Sequence, residues 1–285
     1  MSHAAPPPLP DVILDPIVRL ALTEDLGRAG DLTTDATIEA GQILTAHIRA
    51  RQSGRLAGMD AALYALKVID PGVCVQLHIK EGDPLSEGTV IAVLKGSARS
   101  ILMAERTMLN FLGRLSGIAT KTAQFADRIA HTKARITCTR KTIPGHRALE
   151  KRAVRCGGGT SHRYGLDDAI LIKDNHIAAC GSISEALRRA QAYAGHLRMI
   201  EIEVDTLAQL EEALAHTPHA ILLDNMAPGV LREAVACIKG RCRAEASGGV
   251  TLQTVCDIAE TGVDFISSGA LTHSAINLDV GLDIL

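Results

Sequence analysis

The sequence predicts an α/β protein in two parts, an α+β unit followed by a barrel related to the (β/α)8 fold of TIM barrels but short of it. Three observations carry this. After about residue 134, short apolar, β-branched strands alternate with amphipathic helices, the sign of a parallel sheet closed by right-handed crossovers. Between Ile43 and Gly96 the strand patterns instead gather around one helix. And 285 residues at 47% hydrophobic suffice for one large domain or two smaller ones.

The elements follow in order. The N-terminal residues read as a short disordered tail, because Pro6, Pro7, Pro8 and Pro10 deny it regular pairing. Strand patterns cover Thr45 to Arg51, Val73 to Lys80 and Val90 to Leu94, with a helix from Met59 to Ile69. Glu81 to Val90 reads as a hairpin with Gly82 and Gly88 at its turns. It looks like part of a biotinyl or lipoyl carrier module but lacks the lysine at a hairpin tip. From Ala98 to about Ile129 apolar residues recur at mostly helical spacing, and Gly113 and Gly117 predict a break into two helices. Barrel strands are expected at Arg135 to Thr139, Ala169 to Lys173, Met199 to Val204, Ala220 to Asp224, Arg243 to Ser247 and Phe265 to Gly269, with room for another. Thr206 with Gln209 has the form of a capping box opening a helix to His216. Gly262 follows the helix Leu252 to Thr261, where a left-handed residue is wanted.

Composition excludes several classes. Charge is balanced, 30 Lys and Arg against 32 Asp and Glu, and aromatics are 2% with no Trp. A nucleic-acid partner is therefore not expected. No apolar run approaches the roughly 20 residues of a membrane helix, and no secretory signal pattern opens the chain. Seven cysteines with no C-x-x-C pair suggest reduced thiols, which fits a cytoplasmic protein.

Each expected barrel strand ends on a polar or glycine cluster: Thr139-Arg140-Lys141, Lys173-Asp174-Asn175-His176, Glu201 with Glu203, Asp224-Asn225, Ser247-Gly248-Gly249 and Ser268-Gly269. In barrels of this kind the C-terminal strand ends converge, so these clusters face one bowl. One glycine turn alone would be an ordinary strand-to-helix connection; two on the last two strands point to a phosphate cradle. Arg140, Lys141, Arg163 and Lys173, with His162 beside them, suit a substrate carrying several negative groups. The flanking Arg147, Lys151, Arg152 and Arg155 read as a solvated helix face. Glu203 and Asp224 close apolar strands and need partners: a divalent metal shared with phosphates, ribose hydroxyls, or structural pairing with Lys173 or Arg140.

At these residues a resemblance emerges. Thr139 to Gly145 (TRKTIPG), Gly157-Gly158-Gly159, His162 to Leu166 (HRYGL), Leu171 to His176 (LIKDNH), Glu201 to Val204, Leu222 to Asn225, Glu245 to Gly249 and Ser268 to Thr272 together resemble the quinolinate phosphoribosyltransferases. So do Glu24 to Gly27 and Gly30 to Thr34, so the resemblance runs in order over about residues 15 to 280. Cys138 and His146 depart from the pattern at positions with no assigned chemistry.

The resemblance implies an N-terminal α/β sandwich over 15–115, completed by 275–285, and an open α/β barrel over 116–274, after a tail of 1–14. It implies transfer of a phosphoribosyl group to quinolinate with decarboxylation, assisted by Mg²⁺, in a homodimer whose site takes Arg106 from the partner. By that resemblance Arg106, Arg140, His162 and Arg163 hold the quinolinate carboxylates. Lys141 and Lys173 reach both quinolinate and pyrophosphate. Glu203 and Asp224 bind ribose hydroxyls or organise Mg²⁺, and the turns at Ser247, Gly248 and Gly249 and at Ser268 and Gly269 hold the 5-phosphate. Lys141, Lys173, Glu203 and Asp224 would be the catalytic set. Two rivals stand beside it. A homologous protein associated with molybdenum transport shares the Thr-Arg-Lys-Thr and Gly-Gly-Gly signatures but not the series Lys173 to His176. A barrel aldolase would make Lys173 a Schiff-base nucleophile but leaves the other cations and the acidic pair without a role.

Overall fold

A computed structural model describes residues 6–285. In chain order the elements are α1 (Asp11–Leu26), α2 (Leu32–Thr37), β1 (Ile43–Ala50), β2 (Gly54–Arg55), α3 (Met59–Ile69), β3 (Cys74–Leu77), β4 (Pro84–Leu85), β5 (Val90–Ser97), α4 (Ala98–Arg128), β6 (Arg135–Thr137), α5 (Arg147–Cys156) and β7 (Ile170–Ile172). They continue with α6 (Asp174–Cys180), α7 (Ile183–Tyr193), β8 (Ile200–Val204), α8 (Leu207–Leu214), β9 (Ala220–Asp224), α9 (Pro228–Ile238), β10 (Arg243–Ser247), α10 (Val255–Ala259), β11 (Phe265–Ser267), α11 (Ala270–His273) and β12 (Val280–Ile284). Contacts divide the chain into two units. The first holds the residues up to Ala123, Thr142–Gly158 and Leu271–Leu285; the second holds Gln124–Lys141 and Gly159–Ala270.

In the first unit an antiparallel sheet runs β12-β1-β5-β3. β12 lies beside β1 with Ala46 opposite Ile284 and Ala50 opposite Val280. Gly82 and Gly88, at φ +83° and +84°, make turns there, but the two strands flanking the second turn do not form the expected hairpin: β4 pairs with β2 rather than with β5. The region expected as two helices is one, α4, of 31 residues. Its glycines serve packing rather than a break. A Cβ on Gly117 would stand 2.0 Å from the Ile276 carbonyl oxygen, and one on Gly113 3.0 Å from that of Leu278. Leu278 in turn donates its N–H to the Gly113 carbonyl at 2.9 Å.

Two further expectations change here. The tail of 1–14 ends earlier than expected, because α1 starts at Asp11 with Leu14, Val18 and Leu22 buried along one face; residues 1–5 lie outside the described residues. The prolines before it, unable to donate, act as acceptors: Arg152 donates to the carbonyls of Pro7 at 3.0 Å and Pro6 at 3.3 Å. Nor is Arg152 part of a solvated face. It is 7% exposed and pairs with Glu81 at 2.8 Å and Asp60 at 3.3 Å, and Lys151 is buried beside it. α5 belongs to the first unit through the fully buried Glu150, which takes the Arg114 guanidinium at 2.7 Å. The unit boundaries thus differ from a single cut near 115 and return Thr142–Gly158 to the N-terminal unit.

The second unit is a parallel sheet in the order β6-β11-β10-β9-β8-β7. The room for one more strand is taken by a single parallel bridge between Thr137 and Thr160. Among the described residues nothing pairs β6 with β7, so the barrel is open. β6, β7 and β11 stop short of their expected ends, at Thr137, Ile172 and Ser267; Lys173 is the N-cap of α6, and the Ser268 N–H makes the last bond of its ladder, to the Thr137 carbonyl. The Thr206 and Gln209 capping box forms, each side chain accepting the other's backbone N–H at 3.2 Å. Gly262 takes φ +90° after the short α10.

Candidate active site

Strand alternation sorts the barrel side chains. On β8 Ile200, Ile202 and Val204 are buried on one face, leaving Glu201 and Glu203 on the other. The same parity puts Leu222 and Asp224 of β9, Glu245 and Ser247 of β10 and Ser267 of β11 together. With Thr139, Arg140, Lys141, His162, Arg163, Leu171 and Lys173 they line a cavity of about 550 Å³ in the second unit. Eight of the residues singled out in the sequence meet there: Arg140, Lys141, His162, Arg163, Lys173, Glu203, Asp224 and Ser247. Gly248 and Gly249 continue from Ser247, and Ser268 and Gly269 from Ser267. Arg106 stands exposed on α4 in the first unit.

The cations fall into two kinds. Lys173 is ion-paired with Glu203, the structural pairing weighed from the sequence. Arg140 and Arg163 are less satisfied: the buried Nε of each has no hydrogen-bond partner. Arg163 donates Nη1 to the Ala169 carbonyl at 3.1 Å. Burial, and then the charge of Arg140, lower its pKa from the usual guanidinium value. Two neighbouring half-buried guanidiniums, each with a buried and unmatched Nε, call for an anion offering several oxygens. The chain beyond Arg163 is closed by Asp168, whose carboxylate accepts the N–H groups of Tyr164 and Gly165.

Beside the arginines lies an acidic group to which the sequence reading gave no role. His162 Nε2 is 3.0 Å from Glu201 and 3.5 Å from Glu245, while Nδ1 accepts the Arg163 backbone N–H at 2.7 Å. Both ring nitrogens of His162 therefore have protein partners. Glu245 is 5% exposed. Burial, then the charge of Glu201, push its carboxyl up to about 7, against the opposing pull of His162 and a Ser267 hydrogen bond. The legible signal was a lone acid amid the alanines of β10.

The turn after β10 requires glycine. Gly248 has φ +87° and Gly249 φ +59°, and a Cβ on Gly248 would meet Asn225 Oδ1 at 2.1 Å. Asn225, itself left-handed at φ +53°, donates its N–H to the Ser247 carbonyl at 2.9 Å. The backbone of this turn can thus approach a ligand closely. The second turn is partly committed, since the Ser268 N–H goes to the Thr137 carbonyl at 3.1 Å. His176 accepts the Lys173 N–H at 3.0 Å, capping α6, and His273 lies 2.6 Å from the Ser274 hydroxyl.

An open parallel barrel whose mouth gathers unmatched guanidiniums, two lysines, paired carboxylates and a glycine turn defines an enzyme for phosphorylated, multiply anionic substrates. Residues 118–283 match the family model described as the quinolinate phosphoribosyl transferase C-terminal domain, and residues 31–116 match that of the N-terminal domain. The nicotinate-nucleotide pyrophosphorylase [carboxylating] of Mycobacterium leprae is 46% identical over 94% of this chain and 95% of its own length. The probable enzyme of that name from Bacillus subtilis is 45% identical over 92% and 90%. The solved nicotinate-nucleotide pyrophosphorylase of Francisella tularensis superposes with a TM-score of 0.93 at 37% identity, covering 97% of this chain and 98% of that one. The chain belongs to the quinolinate phosphoribosyl transferase family.

Proposed function

We propose that this chain transfers the phosphoribosyl group of phosphoribosyl pyrophosphate to quinolinate with decarboxylation, giving nicotinate mononucleotide, pyrophosphate and CO₂ for NAD biosynthesis. The observation that carries the reading is the Arg140 and Arg163 pair with buried, unpartnered Nε atoms. Quinolinate has two adjacent carboxylates, which a pair of guanidinium forks can take together. His162 acts behind Arg163. Lys141 and Lys173 face the space between the dicarboxylate and the pyrophosphate. The glycine turn from Ser247 to Gly249, with Ser268 and Gly269, receives the 5-phosphate.

The pyridine nitrogen attacks C1 of the ribose as pyrophosphate departs through an oxocarbenium-like state, and the lysines stabilise the leaving charge. The quaternised ring then accepts the electron pair released when the 2-carboxylate leaves as CO₂. Glu203 and Asp224, at the ends of adjacent strands, hold the ribose hydroxyls. Their oxygens also fit Mg²⁺, which takes one or two carboxylates and completes its shell from substrate phosphates and water. When bound, the ion would supply charge neutralisation at the pyrophosphate. Arg106 is contributed by the first unit of a second copy in a homodimer. No helix among the described residues is long and apolar enough to cross a membrane, and a cytoplasmic setting fits seven cysteines that form no disulfide.

The test is release of pyrophosphate and CO₂ from quinolinate, phosphoribosyl pyrophosphate and Mg²⁺, with nicotinate as the control acceptor. Equal release of both products with quinolinate alone is expected. Silence with quinolinate would overturn the reading and favour the molybdenum-associated relative.

A further inference from the structure

We infer that Glu201 is a positioning residue for the acceptor: through His162 it fixes the backbone from which Arg163 enters the cavity, and so sets the affinity for the dicarboxylate, while the buried Glu245, whose Oε1 has no hydrogen-bond partner, adjusts that affinity by its charge. This rests on the function proposed above. The second unit holds a further cavity of about 260 Å³, and His162, Arg163 and Glu245 line both it and the larger one. These residues are thus a partition across the barrel interior, the floor on which the acceptor would lie.

The ligand atoms of His162, Glu201 and Glu245 lie within 4.8 Å of one another, close enough to suggest a cation site. The hydrogen bonds argue otherwise. Because Nδ1 accepts the Arg163 N–H, the neutral ring carries its proton on Nε2, which donates to Glu201 and has no lone pair for a metal. The array is a chain of hydrogen bonds from Glu201 through the ring to the amide of Arg163. That amide is the link to recognition, since it precedes the side chain whose Nε is unmatched.

Glu245 adds a charge adjustment. It faces Glu201 from β8, His162 and Arg163 from the segment after the Thr160 bridge, and Ser267 from β11. Arg140, Lys141, Lys173, Glu203 and Asp224 share the larger cavity with it, and Arg243 of its own strand shares the smaller. With its carboxyl raised to about 7 it is neutral in mild acid and anionic in mild base. The added anion opposes a dicarboxylate held by the neighbouring arginines.

The experiment compares Glu201→Gln and Glu245→Gln with the wild-type chain in steady-state kinetics at about pH 6 and about pH 8. Glu201→Gln should raise KM for quinolinate about tenfold at both pH values while leaving KM for phosphoribosyl pyrophosphate within about twofold. Glu245→Gln should match wild type near pH 6 and show a KM for quinolinate about threefold lower than wild type near pH 8. Titration of phthalate, an unreactive adjacent dicarboxylate, should give the same pattern without turnover. Thermal melts show whether each variant folds, and phthalate titration of the wild-type chain at the two pH values tests the charge adjustment without any substitution. A wild-type KM in Glu201→Gln, or equal shifts in both its KM values, would overturn the positioning role of Glu201, and an unchanged pH profile in Glu245→Gln would overturn the charge adjustment by Glu245. Failure of the wild-type chain to use quinolinate would instead withdraw the proposed function on which it rests.

Discussion

Glu245 is an acid on a strand whose other central residues are alanines, and the same burial that shifts its titration makes it a stability determinant. Its folded pKa, about 7, lies above the ordinary carboxyl value of 4.5. The protonated form therefore favours the folded state below about pH 4.5, and that contribution is lost as pH rises through about 7. Glu245→Gln should melt higher than wild type near pH 8, by about 2–4 °C per kcal/mol recovered, and the two should converge near pH 5. Circular-dichroism melts across that range check this. Gly248 gives a second test. Gly248→Ala places a Cβ against Asn225 at a positive φ, so KM for phosphoribosyl pyrophosphate should rise about tenfold or more, with about 1–3 kcal/mol of strain. At this scale the sequence was most informative about exposed chemistry at strand ends. It was least informative about His162, whose residue type suits a substrate ligand but whose ring is turned toward two carboxylates that arrive from other strands.

Among the elements, α4 shows where periodicity misleads. Gly113 and Gly117 looked like punctuation because isolated glycine weakens a helix, yet the helix is continuous and the glycines admit a backbone more than 150 residues away in sequence, at Ile276 and Leu278. Helix propensity alone would make Gly117→Ala stabilising by about 1 kcal/mol. A Cβ 2.0 Å from the Ile276 carbonyl outweighs it. Gly117→Ala should lower Tm, and Gly113→Ala, with 3.0 Å of clearance, should lower it less; calorimetry on both ranks the contacts. α5 makes the same point with charge. A run of basic residues resembles a solvated face, but which of them is buried depends on acids at Asp60 and Glu81, distant in sequence. α3, β9 and β10, by contrast, fall on the boundaries read from pattern alone, because each is short, strongly patterned and bounded by turn residues.

For the molecule as a whole, the ordered series of strand-end clusters was enough to expect an open barrel, since only a parallel sheet brings six dispersed clusters to one end. The excursion of Thr142–Gly158 into the first unit was not legible, because nothing local distinguishes α5 from a barrel helix. The proposed sharing of a site between copies has its test at this scale. Arg106→Ala and Lys141→Ala chains, each inactive alone, should regain activity when mixed. An equal mixture of exchanging dimers leaves about one quarter of sites intact. Absence of recovery, with mixed dimers confirmed by native mass spectrometry, would count against a shared site.

The pairing of β12 with β1 also joins an early strand to the last one synthesised. β1 is made early and β12 after every other strand, so during translation β1 has β5 on one side and an unpaired edge on the other. All six barrel strands have been synthesised before its partner emerges. The edge of β1 is thus still open while all six are already in the chain, and an open edge is a template for pairing with other chains until β12 covers it.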